Sequence, residues 1–278
     1  AMAASNLSSA SVVIGEWVQV KSQYLGTYPF KAGLFRFIID GKEYFGYCID
    51  INRGVGIGPA NLYPAADTPA FRTIAYITTW YDPRTLPPSQ QGFEAASIQG
   101  AIWRVFFPPP YGIIFPPEVV TRLNQIYNDA LGKDVVRKGD TLKLTATKAS
   151  PDFIITATIT PARKGVKISF STTAGSLDPT FGYTDSSGQV IVKLSGLSPT
   201  DSPTVTASTI GKWPIVIDVV DRTKQDLIRI GDPYKLEESI YIPAEIFRIY
   251  GYKFYDIDRD GTFGGDEDGL QGWTIQLW

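Results

Sequence analysis

β-branched and aromatic residues crowd the first fifty positions and predict strands through 11–50. Val12, Val13 and Ile14 are followed by Trp17, Val18 and Val20. The run Leu34-Phe35-Arg36-Phe37-Ile38-Ile39 then passes through Asp40-Gly41 into 43–49. Asp-Gly between two apolar runs is a strong hairpin signal, so Cys48 falls near the end of a strand. The pattern then changes period. Gly54, Gly56, Gly58 and Pro59 mark a loop, and Asp67-Thr68-Pro69 supplies a capping residue ahead of an early proline. Ile74, Ile77 and Tyr81 follow at helical spacing. A second helix is predicted over about 93–106, with Ala95, Ile98, Ile102 and Val105 on one face, stopped by Pro108-Pro109-Pro110. A third is predicted over 117–131, ended by Gly132.

From about 141 to 220 the pattern is all-β. Short apolar runs at 154–160, 166–170, 190–194 and 205–207 are separated by Lys164-Gly165, Ala174-Gly175 and Ser187-Gly188, which predicts a β-sandwich. Residues 222–247 read either as the last strands of that sandwich or as a return to the first domain. Ile249-Tyr250-Gly251-Tyr252-Lys253-Phe254 opens a third pattern.

Composition narrows the function classes. With 44% hydrophobic and 19% charged residues, the 278-residue chain can bury a core. A net charge of −2 without a basic stripe argues against a nucleic-acid partner. No apolar run approaches the roughly 20 residues needed to span a bilayer, and no signal peptide is visible. There is no histidine, which removes the commonest general base and transition-metal ligand. A hydrolase reading is therefore poor, since no carboxylate pair is specified either. The single cysteine excludes an internal disulfide. A lone cysteine is most often a small buried hydrophobe.

Its neighbours argue for more. Phe45-Gly46-Tyr47-Cys48-Ile49-Asp50 and Ile98-Gln99-Gly100-Ala101-Ile102-Trp103 resemble the paired signatures of thioester domains on Gram-positive adhesins. The second signature often reads Thr-Gln-x-Ala-x-Trp in that family, and Ile98 replaces the Thr here. The resemblance covers roughly residues 10–135. It implies a Cys48–Gln99 side-chain thioester, walled by Tyr47, Ile98, Ile102 and Trp103. A thiolate can displace ammonia from a carboxamide only where both groups are held in contact and water is excluded. The family implies that a target amine, such as a Lys on a host or neighbouring-cell protein, then attacks the Gln99 carbonyl and becomes tethered by an amide. Each molecule reacts once, so this is covalent binding and not enzymatic turnover.

The middle segment resembles invasin-type immunoglobulin-like domains, through Val166-Lys167-Ile168-Ser169-Phe170, Ala174-Gly175-Ser176-Leu177, the run 184–190 and Thr204-Val205-Thr206-Ala207. The end resembles the start of a calcium-binding B-type surface repeat. There, Asp256, Asp258, Asp260, the Thr262 carbonyl and Glu267 fit a calcium-loop spacing with Gly261 at the sharp turn, so a structural Ca2+ is expected.

The expected fold is mainly β: a β-rich thioester domain with a small helical insert (1–139), an immunoglobulin-like β-sandwich (140–247, with 222–247 open to a return) and a partial repeat (248–278). The expected protein is a secreted cell-surface adhesin, a monomeric module of a longer chain anchored in the cell wall through a missing C-terminal part. The rival reading is a non-covalent structural or filament subunit with an inert Cys48.

Overall fold

A long first strand organises the molecule. In the computed structural model, which describes residues 5–22, 26–107, 113–244, 255–257, 259 and 261, β1 (Ser5–Ser22) pairs antiparallel with β2 (Gly26–Ile39) along almost its whole length. The hairpin at Asp40-Gly41 turns the chain into β3 (Lys42–Cys48), as the Asp-Gly signal predicts, with both residues at positive φ. β4 (Gly58–Pro64) pairs with the start of β1, and the two-residue β5 (Ile113–Ile114) pairs with its far end.

Three helices fill the insert. α1 (Pro69–Trp80) is capped by Thr68, whose side chain accepts from the Phe71 N–H at 3.3 Å. α2 (Pro88–Phe106) begins five residues earlier than its apolar spacing suggested, because Pro88 opens the first turn and Gly92 is tolerated inside it. Every residue of α2 from Glu94 to Trp103 is buried. α3 (Pro117–Ala130) packs its Val119, Leu123, Ile126 and Ala130 face inward. The buried carboxylate of Glu94 is held by Arg122 of α3 through paired bonds of 2.7 and 2.8 Å. This pairing meets the desolvation cost of a charge that close to the core.

The chain then builds two four-stranded antiparallel sheets. One has the order β6 (Thr141–Ala149), β7 (Asp152–Thr160), β11 (Gln189–Ser195), β9 (Ser176–Asp178). The other has the order β10 (Phe181–Tyr183), β8 (Lys167–Thr172), β12 (Thr204–Gly211), β15 (Tyr234–Tyr241). Alternate residues of these strands enclose a second core of Ile155, Ala157, Ile168, Val192, Leu194, Val205 and Ala207.

Between β12 and β15 the chain goes back. β13 (Ile215–Val219) pairs with β4, and β14 (Leu227–Arg229) pairs with β13 on one side and β3 on the other. The first sheet therefore runs β2-β3-β14-β13-β4-β1, and β1 pairs again with β2, so its strands close on themselves. The return covers 215–229, and β15 belongs to the sandwich. The sequence boundary placed 215–221 in the sandwich and allowed 222–247 to return as a block. Ile215-Val216-Ile217 and Leu227-Ile228 carry the same short apolar pattern as sandwich strands, and local pattern does not specify which sheet a strand joins. Mainly β architecture is what the structure has, with 47% of the described residues in strands and 20% in helices.

The repeated crossing makes the junction polar and well paired. Arg137 reaches Asp67 at 2.5 Å and Asp134 at 3.0 Å, and its guanidinium lies 3.6 Å from the Trp213 ring centroid. Arg163 grips Asp140 at 2.6 and 2.9 Å. The Trp213 indole donates to the Ala65 carbonyl at 3.0 Å.

Candidate functional site

Cys48 ends β3 directly opposite Leu227 of β14, and α2 crosses above that pair. Gly46 is what lets β14 come so close: a Cβ there would stand 1.8 Å from the Ile228 carbonyl oxygen. Gln99 projects from the middle of α2 onto the Cys48 main chain. Its Nε2 donates to the Cys48 carbonyl at 2.7 Å, and its Oε1 accepts from the Cys48 N–H at 3.1 Å. The amide thus clamps the last residue of the strand much as another strand would, and satisfies two main-chain groups in a dry core.

The sulfur itself faces a different glutamine. The Cys48 thiol contacts Oε1 of Gln225, and the Asp50 carbonyl lies 3.5 Å away. Gln225 stands at the entry to β14, its N–H donating to the Gly54 carbonyl at 3.1 Å. The segments carrying Asp50 and Gln225 are laced together. Gly54 bridges Lys224, and Arg53 donates to the carbonyls of Arg222 and Lys224 at 3.4 and 3.3 Å. The absence of a side chain at Gly56 leaves room for the Lys224 stem, whose Cγ would stand 2.2 Å from a Cβ. From the other side, the Tyr28 hydroxyl donates to the Ile51 carbonyl at 3.2 Å.

Cys48 and Gln225 are each 1% exposed and Gln99 is fully buried. Burial pushes the Cys48 thiol up to about 12, opposed first by the Trp103 indole N–H. At neutral pH this sulfur is a thiol.

Of the residues expected at the site, the structure brings Cys48, Gln99 and Trp103 together. It buries Tyr47, Ile98 and Ile102 in the same core cluster. The expected pairing of sulfur with Gln99 meets a different arrangement. Gln99 reaches Cys48 but is occupied by its main chain, while Gln225 meets the sulfur. Gln225 was missed because it lies 177 positions from Cys48, in a segment the pattern could not place. The available signal was a neutral amide set two residues before an apolar pair, in Lys224-Gln225-Asp226-Leu227-Ile228.

At the C-terminal end the Asp256 carboxylate accepts from the Gly261 N–H at 3.1 Å. Asp258, Asp260, Thr262 and Glu267 lie outside the described residues, as does most of the expected partial repeat. Among the described residues no group of three or more acidic or sulfur side chains is placed to hold a metal, and no helix is long and apolar enough to cross a membrane.

No protein-family model matches this chain, and no curated protein matches it. Among solved structures, the Bacillus anthracis TIE protein aligns over 86% of this chain with a TM-score of 0.42 and 12% identity. This chain spans about half of that protein, 48% of its length. The thioester domain of the Enterococcus faecium TIE86 protein aligns over 88% of this chain and 98% of its own, with a TM-score of 0.40 and 14% identity.

Proposed function

We propose that this chain is the thioester-bearing part of a surface adhesin, and that the bond joins Cys48 to Gln225. The observation that carries this reading is the buried contact between the Cys48 sulfur and the Gln225 carboxamide. The Cys48 thiolate attacks Cδ of Gln225. The amide nitrogen leaves as ammonia, taking the proton the thiol gave up, and a thioester remains. Holding the two groups in contact without water favours the step. Gln99 acts as a clamp that fixes the Cys48 main chain so that its sulfur points at Gln225.

An amine, such as a Lys on a host or neighbouring-cell protein, then attacks the Gln225 carbonyl. The carbon–sulfur bond breaks, sulfur leaves with the electron pair, and the proton shed by the amine ends on sulfur. The product is an amide between two proteins, made once per molecule. Because the two reacting residues are buried, the paired segments 49–57 and 221–226 must part for the amine to enter.

Cys48–Gln99 is the second reading, favoured by the hydrogen bonds that place the Gln99 amide on Cys48. One experiment separates the two. Fresh wild-type protein should weigh one ammonia less than its sequence, and a Cys48→Ala variant should show the full mass. Peptide mapping after methylamine treatment should find the added methylamide on Gln225. A label on Gln99 would transfer the role to that residue. A full-mass wild type with neither glutamine converted to glutamate would remove the thioester and leave the structural-subunit reading.

The secreted, cell-surface location and the place of the chain within a longer wall-anchored protein belong to the same proposal. So does a stalk-stiffening Ca2+ held by Asp256, Asp258, Asp260, the Thr262 carbonyl and Glu267. The Asp256–Gly261 bond is the turn such a loop requires. Saturable terbium luminescence competed away by calcium should report it, and its absence would remove the metal.

A further inference from the structure

We propose that the cavity between the first sheet and the sandwich binds a small organic carboxylate, with Arg229 and Lys138 holding the acid and the rings of Trp213 and Tyr234 holding its apolar body. This goes beyond the thioester reading and does not depend on it. The cavity has a volume of about 400 Å3, within the range of small-molecule sites. β14 contributes Arg229 to it, β15 contributes Tyr234, and the connecting segments contribute Arg137, Lys138 and Trp213.

Arg229 is a charge without a hydrogen bond. Its Nε and Nη1 are covered and have no hydrogen-bond partner among the described residues. Folded proteins rarely leave such donors unmet. The guanidinium lies 4.4 Å from the Tyr44 ring centroid. The carboxylate it pairs with among the described residues, that of Asp232, stands 3.8 Å from Nη1, beyond hydrogen-bond reach. The Asp232 side chain is 88% exposed, so solvent screens the pair and little holds that carboxylate in place. When Asp232 swings outward, the Nη1–Nη2 edge is free to take both oxygens of another carboxylate, the geometry a planar guanidinium favours.

The remaining charges leave the cavity positive. Arg137 is committed to Asp67 and Asp134. Lys138 is exposed and has no ion pair among the described residues. With Asp232 set against one of them, Arg229 and Lys138 leave one positive charge uncompensated. The walls ask for an apolar body. The Trp213 indole N–H is taken by the Ala65 carbonyl, and the Tyr234 hydroxyl by the Asp140 carbonyl at 3.0 Å. These side chains therefore offer their rings, beside Val136 and Ile215. Arg137 stacks on the Trp213 ring, which fixes that wall.

The test titrates the full chain with phenylacetate, with its neutral counterpart phenylacetamide and with inorganic phosphate, read by the Trp213 indole N–H resonance. Phenylacetate at millimolar concentration should shift that resonance saturably. The amide, which lacks the charge, and phosphate, which lacks the apolar body, should bind at least about tenfold more weakly. Arg229→Gln should lose phenylacetate binding. Two exposed variants keep the proposal falsifiable if that protein does not fold. Asp232→Asn should tighten binding about two- to fivefold, and Lys138→Gln should weaken it by a similar factor. Damage to the fold would not produce the first of these. No saturable shift would overturn the proposal and leave the Arg229 donors to water. Equal binding of phenylacetamide or phosphate would overturn it as well, as would weaker binding to Asp232→Asn. The titration reads no thioester chemistry, so a wild type of full mass leaves its result standing.

Discussion

Gln225→Ala is expected to abolish the ammonia deficit and all covalent amine capture, while the protein stays folded. The Gln225 side chain meets the Cys48 sulfur and, among the described residues, bonds no other side chain, so truncation removes the acyl group and little else. Gln99→Leu should behave in the opposite way. It strips the partners from the buried N–H and carbonyl of Cys48. Leaving two such groups unmet costs about 2–6 kcal/mol. That variant should therefore lose several degrees in Tm, while its folded fraction still loses ammonia. The thiol left in Gln225→Ala has a further signature. With its pKa pushed up to about 12 by burial, only about one molecule in ten thousand is thiolate at pH 8. Alkylation should be slow in the folded state and rapid once the chain is unfolded. Intact mass, thermal melts and timed alkylation read these three outcomes. A retained deficit in Gln225→Ala together with a lost deficit in Gln99→Leu would reverse the assignment of the two glutamines.

Gly46→Ala is expected to do comparable damage without touching a reacting residue. The added methyl would stand 1.8 Å from the Ile228 carbonyl oxygen and 2.8 Å from the Arg229 Cα, both main chain. β14 has to move away from β3. Overpacking of this kind costs about 1–3 kcal/mol, and here no flexible side chain can yield in place of the backbone. Because Gln225 enters β14 three residues before Ile228, the displacement should draw its amide off the sulfur. Both Tm and the ammonia deficit should fall. Gly54→Ala is the control: a Cβ there meets nothing within 4 Å, and little should change. A Gly46→Ala protein with wild-type Tm and a full deficit would show that β14 does not set the geometry of the site.

Much of the local structure was legible. Asp40-Gly41 marked its hairpin because only a few residue pairs accept positive φ at both turn positions. Thr68-Pro69 marked the start of α1 because capping and the missing proline N–H are one-residue effects. Cys48 and Trp103 share one core and Gln99 is buried against the Cys48 main chain, and the motifs that carry them each occupy a single strand end or a single helix. The start of α2 was read late, since Gly92 weakens a periodic signal that tertiary packing then restores.

What the sequence by itself determined is the set of elements and the chemistry available: strands ending at a lone cysteine, a buried helix with an amide and an indole one turn apart, and no histidine to serve as a base. What only the tertiary structure decided is which amide the sulfur meets. The return of β13 and β14 from within the sandwich, between β12 and β15, closes the first sheet and carries Gln225 to Cys48 across 177 positions. Hydrophobic pattern states that a strand is buried and which face is apolar, and these are properties of its own few residues. Which sheet edge that strand completes depends on where unpaired backbone remains elsewhere in the fold, and short apolar strands fit several such edges equally well.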